Sequence, residues 1–307
     1  MIECQCNKKF KLSENGGGKE CIMIKKKVTK IFAACMTAAV LLGSVHMDVR
    51  AETLKTTFKE TEPNDTKETA ELIQANKETA KGYATATFEG RFEVNGETDE
   101  KDPDWYKVYL NAGTQYMTCY VKPFSFLIED ESGNTVTEDT YTYADTTRFG
   151  RTAYEFKVQK EGYYYVRILG CDPASGHYEF TVGSPTYSMD NCKIPCVEGV
   201  INMTASGGTK KAHFDGRELT ALPKDAVAEY VRLEVKSTSI NSAKLINERS
   251  GKSLSLEFYP FLKRSLASMN IPVESMWTAE LKYGYKSSFT PVLTVQYVYP
   301  IYYIENQ

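Results

Sequence analysis

The chain has 307 residues, room for two domains with sizeable cores, and carries a net charge of −3 from 37 basic and 40 acidic side chains. That balance argues against a nucleic-acid partner, which calls for a basic face; the clearest basic cluster, Lys25 to Lys27, falls in a segment expected to be removed. Aromatic residues make up 12%, among them 21 tyrosines, a bias that suits strands.

Met23 to Lys30 is basic, Ile31 to Val45 is apolar, and Val49-Arg50-Ala51 ends in a small residue. These are the three parts of a secretory signal peptide, so 23–51 is read as a leader cleaved after Ala51. The apolar run is short of the roughly 20 residues that span a bilayer, and no second such run follows. An exported, extracellular product without a membrane span is therefore expected. Lipidation at Cys35 is not, because only four residues separate it from Lys30. Residues 1–22 precede the charged start of the leader and are read as a mis-assigned extension; Lys19-Glu20 can be encoded as AAGGAG, a ribosome-binding sequence, which makes Met23 the expected start in place of Met1. Cys119, Cys171, Cys192 and Cys196 then remain, an even number that permits three pairings. A local Cys192–Cys196 loop is favoured, with Cys119–Cys171 if the fold brings them together; four unbonded thiols are the alternative.

After a short linker at 52–57, residues 58–184 are read as one domain. Its opening, Glu60-Thr61-Glu62-Pro63-Asn64-Asp65, crowds oxygen ligands onto a segment that Pro63 is expected to hold extended. Asp99-Glu100-Lys101-Asp102-Pro103-Asp104 supplies a second acidic cluster directly before an aromatic strand. The two are read as halves of one site for a hard cation, which takes six to eight oxygens when it is calcium. The plainer reading makes Asp65 the cap of a helix over Asp65 to Gln74, with Glu68 completing a capping box. Beyond it the period is two: Tyr106, Val108 and Leu110; Met117, Cys119 and Val121; Tyr154, Phe156 and Val158; Tyr164, Val166 and Ile168; Tyr178, Phe180 and Val182. Turns at Ser132-Gly133-Asn134, Glu161-Gly162 and Ala174-Ser175-Gly176 separate them, which predicts an antiparallel sandwich. Tyr163, Tyr165 and Arg167 fall on the opposite face of their strand, with His177 and Glu179 placed alongside. Tyrosine and arginine dominate binding hot spots, yet cross-strand aromatic pairs that stiffen the sheet fit the same pattern.

Several motifs occur in a fixed order: Glu62-Pro63-Asn64-Asp65, the Asp-x-Asp-Trp-Tyr pattern of Asp102 to Tyr106, Asn111-Ala112-Gly113, Asp130 to Asn134, Gly162 to Arg167 and Gly176 to Val182. Over about residues 58–184 the chain resembles the bacterial pre-peptidase C-terminal domain family, related to the collagen-binding domains of bacterial collagenases. The resemblance implies a β-sandwich of a kind appended to secreted peptidases. It implies calcium at Glu60, Glu62, Asn64, Asp102 and Asp104, and a ligand held on the face bearing Tyr163, Tyr165 and Arg167. One departure is that no peptidase precedes the match in this sequence.

Residues 185–194 look like a polar linker, and 195–307 a second β-rich domain of unrecognised family. Its expected strands are Val197 to Thr204, Lys210 to Phe214, Ala226 to Val235, Ala243 to Asn247, Ser253 to Phe258, Trp277 to Tyr283 and Val292 to Ile304, with a helical turn at Phe261 to Ser268 and an edge or bulge at Pro300. The fold class expected is all-β, two tandem antiparallel sandwiches after a cleaved leader. His177 and His213 show neither a nucleophile elbow nor zinc-ligand spacing. A non-catalytic module that binds an extracellular protein or polysaccharide is the reading preferred. An accessory or chaperone-like partner of a separately encoded secreted peptidase comes next, and an enzyme acting on glycan or peptide last.

Overall fold

The computed structural model describes residues 56–98, 101–142, 151–170, 176–237, 239–257 and 260–302. The extension 1–22, the leader 23–51, Asp99, Glu100 and Cys171 lie outside them. Among the described residues the regular secondary structure is nearly all strand, with turns and loops between the strands, and no described helix is long and apolar enough to cross a membrane.

The first half contains β1 (Thr56–Lys59), β2 (Glu71–Ile73), the short helix α1 (Ala80–Ala84), β3 (Phe92–Glu97), β4 (Asp104–Leu110), β5 (Gly113–Tyr120), β6 (Phe124–Asp130), β7 (Thr135–Tyr141), β8 (Arg151–Val158), β9 (Gly162–Gly170) and β10 (His177–Gly183). Two five-stranded sheets, β1-β3-β10-β5-β8 and β2-β4-β9-β6-β7, face each other across one core. The inward series predicted from period two meet in that core. The exception is Val121, which follows the end of β5 with a φ of +70° and is exposed.

Antiparallel pairing fails at two edges, where β1 joins β3 and β2 joins β4 in parallel. The segment 60–70 passes from one sheet to the other at the rim, so the edge strands follow their neighbours' direction. The expected helix over Asp65 to Gln74 is absent. Thr66 and Thr69 bond each other's backbone and hydroxyl groups to close a turn, the competition with helix that short hydroxyl side chains offer. Leu72 and Ile73 then alternate as strand residues, 65% and 3% exposed.

The second half contains β11 (Tyr187–Pro195), β12 (Ile201–Met203), β13 (Gly208–Asp215), β14 (Val227–Glu234), β15 (Ile240–Asn247), β16 (Ser253–Ser255), β17 (Phe261–Lys263), β18 (Met276–Tyr283), β19 (Ser287–Phe289) and β20 (Val292–Pro300). Sheets β11-β20-β14-β17 and β13-β18-β15-β16, with the ribbon β12-β19, enclose a separate core that includes Trp277, Phe214 and Phe261. The Trp277 indole N–H donates to the Val273 carbonyl at 3.2 Å.

Three expectations need correction here. The supposed linker 185–194 is largely β11, a strand paired with β20 along nine residues. Its sequence is polar because an edge strand with one face in solvent needs few apolar side chains. The helical turn at Phe261 to Ser268 starts as β17, and only Ala267–Met269 forms a 3₁₀ turn. Pro300 ends an interior strand, not an edge. The Ile301 N–H donates to the Thr186 carbonyl, so the adjoining pair Tyr187/Pro300 is a non-hydrogen-bonded one. The N–H that proline lacks would point away from β11, past the point where β14 pairing begins at Val298.

Cys192 and Cys196 are unbonded, which overturns the local disulfide. Four residues of extended strand hold their Cα atoms about 13 Å apart, well outside disulfide reach. Cys119 is buried on β5.

Candidate cation site

The site forms at the rim where the chain leaves β1 and where β4 begins. Glu60 donates its N–H to the Asn95 carbonyl at 3.1 Å, continuing the register of β1 by one residue. Its side chain folds over Gly96. Glu60 Oε1 accepts the Glu97 N–H at 2.5 Å, and Oε2 accepts the Tyr178 and Tyr106 hydroxyls at 2.6 and 3.1 Å. A Cβ on residue 96 would stand 2.1 Å from Glu60 Oε2 and 2.2 Å from the Tyr178 oxygen. Glycine is therefore required for this approach. Burial pushes both phenols far above the ordinary tyrosine range, so they serve as hydroxyl donors.

Asp104 opens β4 and is fully buried. Its Oδ2 has no hydrogen-bond partner among the described residues. Burial first, and then the Glu60 carboxylate, push Asp104 up to about 8. Asn64, also fully buried, accepts the Trp105 N–H on its carbonyl at 2.9 Å and donates its own N–H to Glu62 Oε2 at 3.1 Å. Its amide group lies 3.3 Å from Asp104 Oδ1 and 3.2 Å from Glu62 Oε2. With nitrogen toward them the amide donates to both; with oxygen toward them it completes a cluster of lone pairs that needs a cation. Partial desolvation raises Glu62, the Asn64 N–H opposes it, and Asp102 and Asp65 add to the rise.

One carboxylate oxygen each from Glu60, Glu62 and Asp104 lie within 4.8 Å of one another, and so do those of Glu62, Asp65 and Asp102. Opposite ligands of a calcium ion stand about 5 Å apart. The donor set, all oxygen with one buried carboxylate oxygen lacking a partner among the described residues, fits such an ion. All five positions expected from the sequence thus gather at one rim, joined by Asp65, which sequence reasoning assigned to a helix cap. Its spacing of three from Glu62 was the available signal.

Tyr163, Tyr165 and Arg167 do lie on the outer face of β9, opposite Tyr109, Lys107 and Trp105 of β4. Most of that face is already paired. Lys107 Nζ sits 4.6 Å from the Tyr163 ring centre and 5.2 Å from that of Tyr165; Lys67 Nζ sits 4.5 Å from Tyr165; Arg167 lies 5.8 Å from the Trp105 ring centre. Only its margin is open, where Leu72, Tyr109 and Tyr163 are exposed beside a groove of about 440 Å³ lined also by Gln74, Lys77 and Phe92. His177 and Glu179 are not alongside, because β10 belongs to the other sheet.

His213 bonds Glu198 through its ring and donates its N–H to Oε2 at 3.0 Å, where Cys196 Sγ also donates at 3.1 Å. Partial burial raises Glu198, but these bonds outweigh it and hold the carboxyl at about 2. Burial pushes the Cys196 thiol up to about 11. A thiol so disfavoured as thiolate is a poor nucleophile at neutral pH.

No protein-family model matches the chain, and no curated protein does. Among solved structures, a candidate secreted protein from Eubacterium rectale aligns at 11% identity over 81% of this chain and 87% of that one, with a TM-score of 0.49. The pre-peptidase C-terminal domain of a collagenase from Bacillus anthracis aligns at 17% identity over 40% of this chain and 99% of that one, with a TM-score of 0.27. A β-porphyranase of glycoside hydrolase family 86 from Bacteroides plebeius aligns at 12% identity over 65% and 33%, with a TM-score of 0.22.

Proposed function

We propose that the chain is an exported, non-catalytic binding module of the pre-peptidase C-terminal kind, whose first sandwich is tightened by calcium and engages an extracellular protein or polysaccharide. The observation that carries the calcium reading is the buried, unpartnered Asp104 Oδ2 amid oxygens of Glu60, Glu62 and Asn64. A buried carboxylate without compensation is costly, and a divalent ion supplies the charge. Glu60, Glu62, Asn64, Asp102 and Asp104 would hold it, with Asp65 beside them. Glu60 follows the edge strand β1, so the ion would tie the start of the sandwich to its centre. The margin formed by Leu72, Tyr109 and Tyr163 supports the binding role, since exposed aromatic and aliphatic groups gather there.

Thermal melting in calcium and in chelator tests the reading. Stabilisation by a ligand of the folded state reaches about 2.7 kcal/mol at a hundredfold excess over Kd. A clear rise in midpoint with calcium is expected, and an unchanged midpoint would leave these acids merely solvated.

A further inference from the structure

Where the two sandwiches join, charged side chains of the first meet the backbone of the second. Glu78, just before α1, and Arg91, just before β3, form an ion pair with side chains 0% and 5% exposed and Nη2 3.0 Å from Oε1. The Arg91 guanidinium also lies 4.6 Å from the Phe88 ring centre. Glu78 Oε2 accepts the N–H of Tyr187, the first residue of β11, at 3.3 Å. Arg151 of β8 donates from Nη1 to the carbonyl of the same Tyr187 at 3.0 Å, with its guanidinium 5.6 Å from the Tyr120 ring centre.

These two contacts have one geometric cause. β11 is the edge of its sheet, and Tyr187 occupies a non-hydrogen-bonded pair with Pro300, so its N–H and C=O point away from β20. Exposed edge groups of this kind invite pairing with another chain. Here a carboxylate and a guanidinium of the neighbouring sandwich occupy both. The connection itself is fixed as well: Asn76 donates from Nδ2 to the Ser184 carbonyl at 2.7 Å and accepts the Ser184 N–H at 2.9 Å. Tyr116, Ala153 and Ile301 add an apolar contact with Tyr302 against it.

We propose that Glu78, Arg91 and Arg151 form a latch on Tyr187, at the start of the free edge of β11, that makes the two sandwiches one cooperative, rigid body. The wild-type chain should unfold in a single calorimetric transition whose enthalpy equals the van't Hoff value, and chymotrypsin should not cut after Tyr187. Arg151→Met keeps the side chain's bulk while leaving the Tyr187 carbonyl without its donor. It should split the transition in two and raise cleavage after Tyr187, read as the matching fragment masses, by about tenfold or more, as loss of a charged donor predicts. The double exchange Glu78→Arg with Arg91→Glu retains an internal ion pair but turns a cation toward the Tyr187 N–H, so the first sandwich should still melt cooperatively while the joint opens. Two transitions in the wild-type chain would overturn the proposal. So would an Arg151→Met protein that melts and resists chymotrypsin like the wild type.

Discussion

Asp104 and Glu78 are both carboxylates closed off from water in the first sandwich, and burial raises both. Their surroundings differ. Glu78 has Arg91 as a counter-charge and the Tyr187 N–H as a further donor. Asp104 has an oxygen without a partner, with Glu60 and Glu62 nearby to repel it. Burial is thus the same physical condition with two outcomes. Where the fold supplies compensation the acid is structural, and where it does not the acid awaits a proton or a cation.

Removing the compensated acid breaks that comparison most severely. Glu78→Ala leaves Arg91 as an unpaired buried charge, a loss of about 3–5 kcal/mol. Denaturant melts should show the same deficit in calcium and in chelator; a deficit confined to one buffer would link the two sites.

The uncompensated acid responds to pH. Its folded pKa of about 8 exceeds its reference value of 3.8, so between those values the folded chain binds a proton that the unfolded chain releases. Stability from Asp104 is complete below about 3.8 and is lost as pH rises through about 8. In chelator the melting midpoint should fall from pH 5 to pH 8 by the equivalent of a few kcal/mol at most. Calcium should flatten that slope, and Asp104→Asn should remove both the slope and the calcium response. A midpoint that rises with pH in chelator would contradict the assignment.

Gly96→Ala places a methyl against Glu60 and Tyr178. Overpacking of this kind costs about 1–3 kcal/mol, and the calcium response should weaken because Glu60 is displaced. Tyr163→Ala, at an exposed margin, should change stability by less than about 0.5 kcal/mol. It should nevertheless weaken retention on an extracellular-matrix or polysaccharide array more than Tyr165→Ala, whose ring carries Lys67 as well as Lys107, whereas Tyr163 has Lys107 alone and is exposed. Equal effects would return the binding role to the whole face.

The inward series around Tyr106, Tyr154, Tyr164 and Tyr178 was legible because period two survives any arrangement of strands. The acids Glu60, Glu62, Asp102 and Asp104 and the amide of Asn64 were legible as a cluster because proline-bordered acidic segments are conspicuous in a β-rich chain. Asp65 stood both in the first oxygen-rich segment and as the cap of a helix that does not form, because a capping pattern and a ligand pattern use the same residue types.

Local sequence therefore determined which residues alternate between core and solvent, and which segments are rich in oxygen ligands. Tertiary structure alone decided which acid receives a counter-charge. It set β1 and β2 parallel to their neighbours, made a strand of the polar segment at 187–195, and covered Tyr165 with one lysine from a turn and one from β4. The reason is one of range: alternation is fixed by neighbours one or two residues away, whereas Arg91 meets Glu78 only after α1 and its turns fold back on themselves, and Asp104 meets Glu60 only after the chain has passed through both sheets.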